Sequence, residues 1–225
     1  MAPQDGTART RLCRVLIVDD HPIIRRGLGR VIDEQADLEL CGEADCPEDA
    51  LSCISDLRPD VIVADLSFEG LDGIELIKDL KVRHPRLPIL VLSMHDETFY
   101  AQRVLKAGAM GYLMKQEPVE QILDGIRSVR RGHIYLSDQM AQVLLSQVSG
   151  SPARREHASA QTLTDRELEV LRLIGEGRAT REIAQSLHLS IKTVETHREN
   201  IKHKLQLQNA TQLVQYAVRF SLDGT

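Results

Sequence analysis

Five short apolar runs punctuate the first 135 residues: VLIV at 15–18, LELC at 38–41, VIVA at 61–64, ILVL at 89–92 and YLM at 112–114. Near-continuous apolarity, rather than strict alternation, marks strands covered on both faces. Between the runs the spacing turns helical. The 22–35 stretch places Ile23, Ile24, Leu28 and Val31 on one face, and the 74–84 stretch does the same with Ile74, Ile77 and Leu80. Pro22 and Pro47 stand where a first helical turn begins. This alternation predicts an α/β domain over residues 13–135, a doubly wound parallel sheet of five strands with right-handed crossovers.

Residues 136–161 read as a further helix at 137–149 followed by a flexible linker, SGSPARREHASAQ at 149–161. From Leu163 onward strand signals stop, and 162–225 reads as an all-α domain of four helices. Thr164-Asp165-Arg166-Glu167 fits a capping box ahead of Leu168, Val170, Leu171 and Ile174, and Gly175 and Gly177 end that helix. Thr180 opens a second helix, Ser190 caps a third, IKTVETHRENIKHKL, and Ala210 to Val218 forms a fourth. Two helices joined by a short turn in this way form a DNA-binding arrangement.

Composition narrows the classes without choosing among them. With 42% hydrophobic and 27% charged residues, the chain of 225 residues is of ordinary globular make-up. No apolar stretch reaches the roughly 18–20 residues that span a bilayer, and MAPQDGTARTRLCR lacks the apolar run of a secretory signal, so a cytoplasmic location away from membranes is expected. Cys13, Cys41, Cys46 and Cys53 show no CxxC spacing and read as free thiols. The net charge of −5 is uneven: residues 162–225 hold 9 Lys and Arg against 8 Asp and Glu, and the remainder carries −6. A DNA-binding half at +1 makes few phosphate contacts per protomer, which points to binding as a homodimer on paired half-sites.

The chemistry gathers at the ends of the apolar runs. Asp19 and Asp20 follow the first, Asp65 the third, Ser93 the fourth and Lys115 the fifth. An open parallel sheet places its ligand crevice there. Three carboxylates brought together repel unless a cation intervenes or one is protonated. Hard oxygen donors favour Mg²⁺. A carboxylate oxygen can then attack a phosphoryl group, with the ammonium of Lys115 opposing the developing charge and the hydroxyl of Ser93 donating to a phosphoryl oxygen.

The segments VLIVDDHP, DVIVADLSFEGLDGIE, ILVLSMHDE and GAMGYLMK resemble the receiver domain of a bacterial two-component response regulator. LTDRELEVLRLIGEGRATREIAQSLHLSIKTVETHRENIKHKL is similar to the LuxR-type helix-turn-helix, and together they resemble the NarL/FixJ family. The resemblance implies a flavodoxin-like strand order 2-1-3-4-5. It makes Asp65 the acceptor of a phosphoryl group from a sensor histidine kinase. Asp19, Asp20 and Asp65 with the backbone carbonyl of Ser67 would hold Mg²⁺, Asp20 being the more direct ligand. Ser93 and Lys115 would contact the phosphate, and Tyr112 would be an aromatic switch that turns inward with Ser93. It also implies double-stranded promoter DNA and RNA polymerase as partners. The expected activity is that of a regulator rather than an enzyme, limited to Mg²⁺-dependent self-phosphorylation and slow autodephosphorylation. Four residues at three places depart from the family pattern: Phe68-Glu69 where Met-Pro is usual, Gln116 where Pro often follows the lysine, and the large Met94 after Ser93.

Two other readings compete. An Asp-nucleophile phosphohydrolase needs a carboxylate two residues after the nucleophile, and Ser67 stands there. A DNA-binding protein whose receiver only dimerises is disfavoured by the complete acidic set. In the third helix, Val194, Ile201 and Leu205 share the packed side. Lys192, Thr193, Glu195, Thr196, Glu199, Lys202 and His203 face the groove, with Arg198 on the flank. Glu195 and Glu199 repel phosphates unless they accept from cytosine amino groups. Thr180 and Arg181 open the preceding helix, whose N-terminus suits backbone phosphate.

Overall fold

Alternate residues of each apolar run point to opposite sides, and in VLIV, VIVA and ILVL both sides are buried. The computed structural model describes residues 11–68, 71–148 and 162–222; the linker at 149–161 and Glu69 lie outside the described residues. Strands β1 (Cys13–Val18), β2 (Leu38–Ala44), β3 (Val61–Ala64), β6 (Ile89–Ser93) and β7 (Gly111–Met114) form one parallel sheet in the order β2-β1-β3-β6-β7. Counted among themselves, these five follow the expected order 2-1-3-4-5. Val15, Ile17, Val61, Val63, Leu90 and Leu92 pack under helices α1 (Pro22–Asp33) and α5 (Val119–Arg130). Leu16, Val18, Ile62, Ala64 and Val91 pack under α2 (Pro47–Leu57), α3 (Gly73–Arg83) and α4 (Glu97–Ala107). Each such Leu, Ile or Val contributes about 1.5–3 kcal/mol when fully buried, which is why the runs of the inner strands β1, β3 and β6 show no polar interruption, whereas the edge strand β2 admits Glu39.

Two local features differ from the sequence reading. Ile23 is 87% exposed, and the buried stripe of α1 starts a turn later with Leu28 and Ile32. The first turn of α1 stands beyond the end of β1, at the crevice rim, with no sheet beneath it. A small antiparallel hairpin, β4 (Ser67–Phe68) with β5 (Leu71–Asp72), follows Asp65. Two-residue strands are too short to leave a period in the sequence. The hairpin turns the chain into α3, where a Cβ on Gly73 would lie 2.4 Å from Leu66 Cα. Only glycine permits that approach, and Gly73 N–H donates to the Leu66 carbonyl at 3.1 Å.

Beyond α5 the chain returns along the outer edge of the sheet. Tyr112 N–H donates to Tyr135 O and Tyr135 N–H to Met110 O, which covers the β7 edge. Helix α6 (Asp138–Val148) then buries Met140, and Ser137 Oγ donates to Glu97 Oε1. The four cysteines are free, and burial pushes the Cys13 thiol up to about 11.

The second domain comprises α7 (Asp165–Gly175), α8 (Thr180–Ser186), α9 (Ile191–Lys204) and α10 (Ala210–Leu222). The capping box forms: Thr164 Oγ1 accepts from Glu167 N–H at 3.3 Å and Glu167 Oε2 accepts from Thr164 N–H at 2.7 Å. Leu168, Val170, Leu171 and Ile174 meet Ile183, Val194, Ile201, Leu213 and Ala217 in one core. The two domains touch. Arg103 of α4 donates to Asp165 Oδ1 and to the Leu163 carbonyl, both at 2.8 Å, and Lys78 of α3 lies 3.2 Å from Asp165 Oδ2. Beside this clasp the Phe99 and Phe220 rings sit 4.3 Å apart. No helix of the described residues is long and apolar enough to cross a membrane.

Candidate functional site

The crevice assembles because backbone bonds carry each strand end to the same place. Asp65 N–H donates to Val18 O at 2.8 Å, Asp19 N–H to Ala44 O at 3.1 Å, and Lys115 N–H to Ser93 O at 2.8 Å. Lys115 Nζ lies 2.7 Å from Asp19 Oδ2 and 2.8 Å from Asp65 Oδ2. All three side chains are buried, Lys115 at 3% and Asp65 at 1% exposure. The other oxygen of Asp65 accepts from Leu66 N–H at 2.6 Å. Burial pushes the Asp65 carboxyl above the usual range, and Lys115 offsets only part of that. One ammonium against three acids leaves a negative excess. At an effective dielectric of about 20 a contact near 4 Å is worth about 4 kcal/mol, of the same order as desolvating one ion. A further cation therefore stabilises the set. Asp20 Oδ1 fits that need: it is buried with no hydrogen-bond partner among the described residues. Asp19, Asp20, His21 and Asp65 offer ligand atoms that all lie within 4.8 Å of one another. The donor set suits a divalent cation.

Ser93 is fully buried, and its Oγ accepts from His95 N–H at 3.3 Å. Tyr112 is buried too, and its hydroxyl donates to the His95 carbonyl at 2.6 Å. The inward turn expected of Tyr112 on phosphorylation is already made, because the His95 carbonyl gives the hydroxyl a buried acceptor. Ser67 Oγ meets His95 Nε2 at 2.9 Å, and the imidazole stacks on Tyr100 at 4.7 Å. Burial, with the charges of Arg172 and Lys115, pushes the His95 pKa down to about 3, so this ring is neutral at physiological pH. His95 thus touches three of the expected site residues, and no spacing in the sequence singles it out.

The departures settle into place. Phe68, the second residue of β4, is buried, Met94 is half exposed, and the Lys115–Gln116 bond is trans. Asp20, Ser67, Phe68 and His95 share a cavity of about 330 Å³ with Asp165 and Arg172 of α7. The second domain walls the mouth of the crevice, which the sequence did not indicate.

On α9, Val194 and Ile201 are buried and Leu205, just past its end, is half-buried, as the spacing predicts. Lys192, Glu195, Thr196, Glu199 and His203 are exposed; Thr193, Arg198 and Lys202 are half-buried. Two of the hydroxyls serve the helix itself: Thr193 Oγ1 meets the cap Ser190 Oγ at 2.7 Å, and Thr196 Oγ1 donates to Lys192 O at 3.0 Å. Lys202 Nζ sits 2.9 Å from Glu199, so that acid is partly neutralised. At the start of α8, Arg181 is exposed and Thr180 half-buried.

Comparison with known proteins agrees with this layout. Residues 15–127 match the response regulator receiver domain, and residues 161–217 match the luxR family of bacterial regulatory proteins. The chain is 38% identical over 212 residues to the transcriptional regulatory protein LiaR of Bacillus subtilis, covering 92% of this chain and 98% of that one. It is 34% identical to the oxygen regulatory protein NreC of Staphylococcus carnosus, covering 93% and 98%. Among solved structures, RcsB of Salmonella enterica serovar Typhimurium bound to promoter DNA with phosphomimetic BeF₃⁻ superposes with a TM-score of 0.69 at 27% identity, covering 93% of this chain and 100% of that one. A receiver joined to a LuxR-type helix-turn-helix over the full length of such relatives places the chain in the NarL/FixJ family of DNA-binding two-component response regulators.

Proposed function

We propose that Asp65 is the phosphoacceptor, that Asp19, Asp20, Asp65 and the Ser67 carbonyl hold Mg²⁺ beside it, and that the donor is a sensor histidine kinase. The observation that carries this is Lys115 Nζ held between the buried Asp19 and Asp65 carboxylates. When bound, Mg²⁺ neutralises the charge of the transferring group. The protein's own groups do the rest. An Asp65 oxygen forms the bond to phosphorus as the donor's bond breaks. Lys115 turns from the carboxylates to the new phosphoryl oxygens. Ser93 leaves the His95 amide and donates its hydroxyl to the same group.

Up to about 2 new negative charges appear at Asp65. Its neighbours Asp20, Leu66 and Ser67 line the cavity that Asp165 and Arg172 wall. The shift of Ser93 frees the His95 amide, His95 stacks on Tyr100, and α4 carries the Arg103 clasp. Phosphorylation then loosens the clasp and biases the chain toward separated domains. The freed chain forms a homodimer on paired half-sites in promoter DNA, where it meets RNA polymerase, and it acts in the cytoplasm. RcsB dimers on DNA are a relative's precedent for that step. Thr180, Arg181, Lys192, Thr193, Arg198 and Lys202 make the phosphate and base contacts, with Glu195, Thr196 and Glu199 facing base edges.

Incubation with acetyl phosphate, with and without Mg²⁺, followed by phosphate-affinity electrophoresis, tests the acceptor. A shifted band that needs Mg²⁺ and vanishes in Asp65→Ala is expected. Equal labelling of Asp65→Ala overturns the assignment.

A further inference from the structure

The two cations that clasp Asp165 belong to a larger basic hollow. Between α3 and α4 lies a cavity of about 700 Å³, within the size range of small-ligand sites. Lys78, Lys81, Arg103 and Lys106 line it, and the one carboxylate among its lining residues is Asp165, brought by the second domain. Outside residues 162–225 the chain carries −6, so four cations in one hollow invert the local charge.

The acids present do not satisfy these cations. Asp165 reaches only two of them: Oδ1 accepts from Arg103 at 2.8 Å, and Oδ2 lies 3.2 Å from Lys78. Lys78 also meets Glu75 at 2.7 Å. Among the described residues the partners of Lys81 Nζ are two carbonyls, Pro85 O and Leu87 O, each at 3.0 Å. An ammonium has three N–H donors, so one remains. Burial pulls the Lys81 pKa below the ordinary 10.5, with no carboxylate to offset it. Lys106 is exposed and has no ion-pair partner among the described residues. Counting Glu75, four cations meet two carboxylates, and Asp165 stands as a resident anion in a site that holds a larger one. The exposed Val82 and the ring of Phe99 give the hollow an apolar wall.

We propose that the hollow between α3 and α4 binds a diphosphate group, free or carried by a nucleotide, and that this ligand displaces Asp165 from Arg103 and Lys78 and so opens the two domains. Lysine ammoniums serve phosphate oxygens as point charges, and a guanidinium takes two such oxygens at once. A diphosphate carries enough charge and enough oxygens to engage Lys81 and Lys106 as well, which one carboxylate does not reach. Val82 and Phe99 then offer a nucleotide base its apolar contact. Ligand and clasp share Arg103 and Lys78, so each excludes the other, and binding shifts the chain toward separated domains. This adds a second trigger to the opening step proposed above; it rests on the clasp and not on Asp65 as acceptor.

The test uses the full, unphosphorylated chain without Mg²⁺, which chelates both probes. Sodium pyrophosphate and ADP are titrated calorimetrically, the radius of gyration is followed by X-ray scattering, and NaCl at matched ionic strength is the control. The expected result is saturable binding with an expansion that NaCl does not reproduce. Tighter binding of ADP assigns the nucleotide as the source, and equal binding assigns the diphosphate group alone. Lys106→Ala, which leaves the clasp intact, should weaken binding about fivefold, the scale of one exposed ion pair. Asp165→Asn should tighten it, because the ligand no longer competes with a closed state. Circular dichroism checks that both variants fold. Absence of saturable binding, an expansion matched by NaCl, unchanged affinity in Lys106→Ala or weaker binding in Asp165→Asn overturns the proposal. Failure of Asp65 to accept a phosphoryl group counts against the function proposed above and leaves these titrations to judge the hollow.

Discussion

The crevice and the recognition helix differ in how their charges are held. In the crevice, Asp19, Asp65 and Lys115 are buried and fix one another at 2.7–2.8 Å. On α9, Lys192, Glu195 and Glu199 are exposed, and the contacts among the helix's polar groups are local ones such as Lys202–Glu199. A buried set is built before its ligand arrives, and losing one member strands the others. An exposed set is completed by its ligand, and each member counts modestly. The same chain thus has a preorganised input and an adaptable output.

The largest expected effect comes from breaking the input. Lys115→Ala leaves two buried carboxylates without their cation, and removing one partner of a buried ion pair costs about 3–5 kcal/mol. Urea denaturation without Mg²⁺ should show a loss of that order, and added Mg²⁺ should recover part of it. A loss below about 1 kcal/mol, the scale of an exposed pair, would place Lys115 with the surface charges.

The clasp comes next. Asp165→Ala removes the acceptor shared by Arg103 and Lys78, groups that are partly exposed, so about 1 kcal/mol is at stake. The expected result is faster proteolytic cleavage between the domains and a larger radius of gyration, with each domain still folded. Unchanged dimensions would mean that the Arg103–Leu163 and Phe99–Phe220 contacts hold the domains together without Asp165.

On the output side, Lys192→Ala should weaken DNA binding uniformly across sequences and reduce the salt slope by about 1, the signature of one lost phosphate contact. A change confined to particular base pairs would reassign Lys192 to base readout.

The smallest effect is a pH dependence. Burial works against the Glu167 carboxylate, but the bonds from Lys204 and Thr164 outweigh it and hold its pKa below the ordinary 4.5. The stabilisation is therefore present above that value and is lost as pH falls through the lowered one. Glu167→Gln should flatten the acid limb of the second domain's stability curve, read by circular dichroism between about pH 3 and pH 5, the range in which such a carboxyl titrates.

The legibility of the chain follows the same contrast. The sheet could be read because its inner strands, buried on both faces, hold near-continuous apolar runs, and Asp19, Asp65, Ser93 and Lys115 stood out as polar residues ending such runs. The capping box at Thr164 was readable because its two bonds span three residues. His95 was not, since it acts through its backbone and through a ring packed against Tyr100, neither of which leaves a period. Ile23 misled because helical spacing states which residues share a face, not where along the helix the sheet begins. The Arg103–Asp165 clasp spans 62 residues and depends on how two domains meet. Nothing local encodes it.

One measurement joins the input to the output most directly: small-angle X-ray scattering of the full chain before and after acetyl phosphate and Mg²⁺, with Asp65 occupancy followed by intact mass. The account predicts a larger radius of gyration, or a dimer, that rises in proportion to Asp65 phosphorylation and is absent in Asp65→Ala. Full phosphorylation with no change in dimensions or association would contradict it.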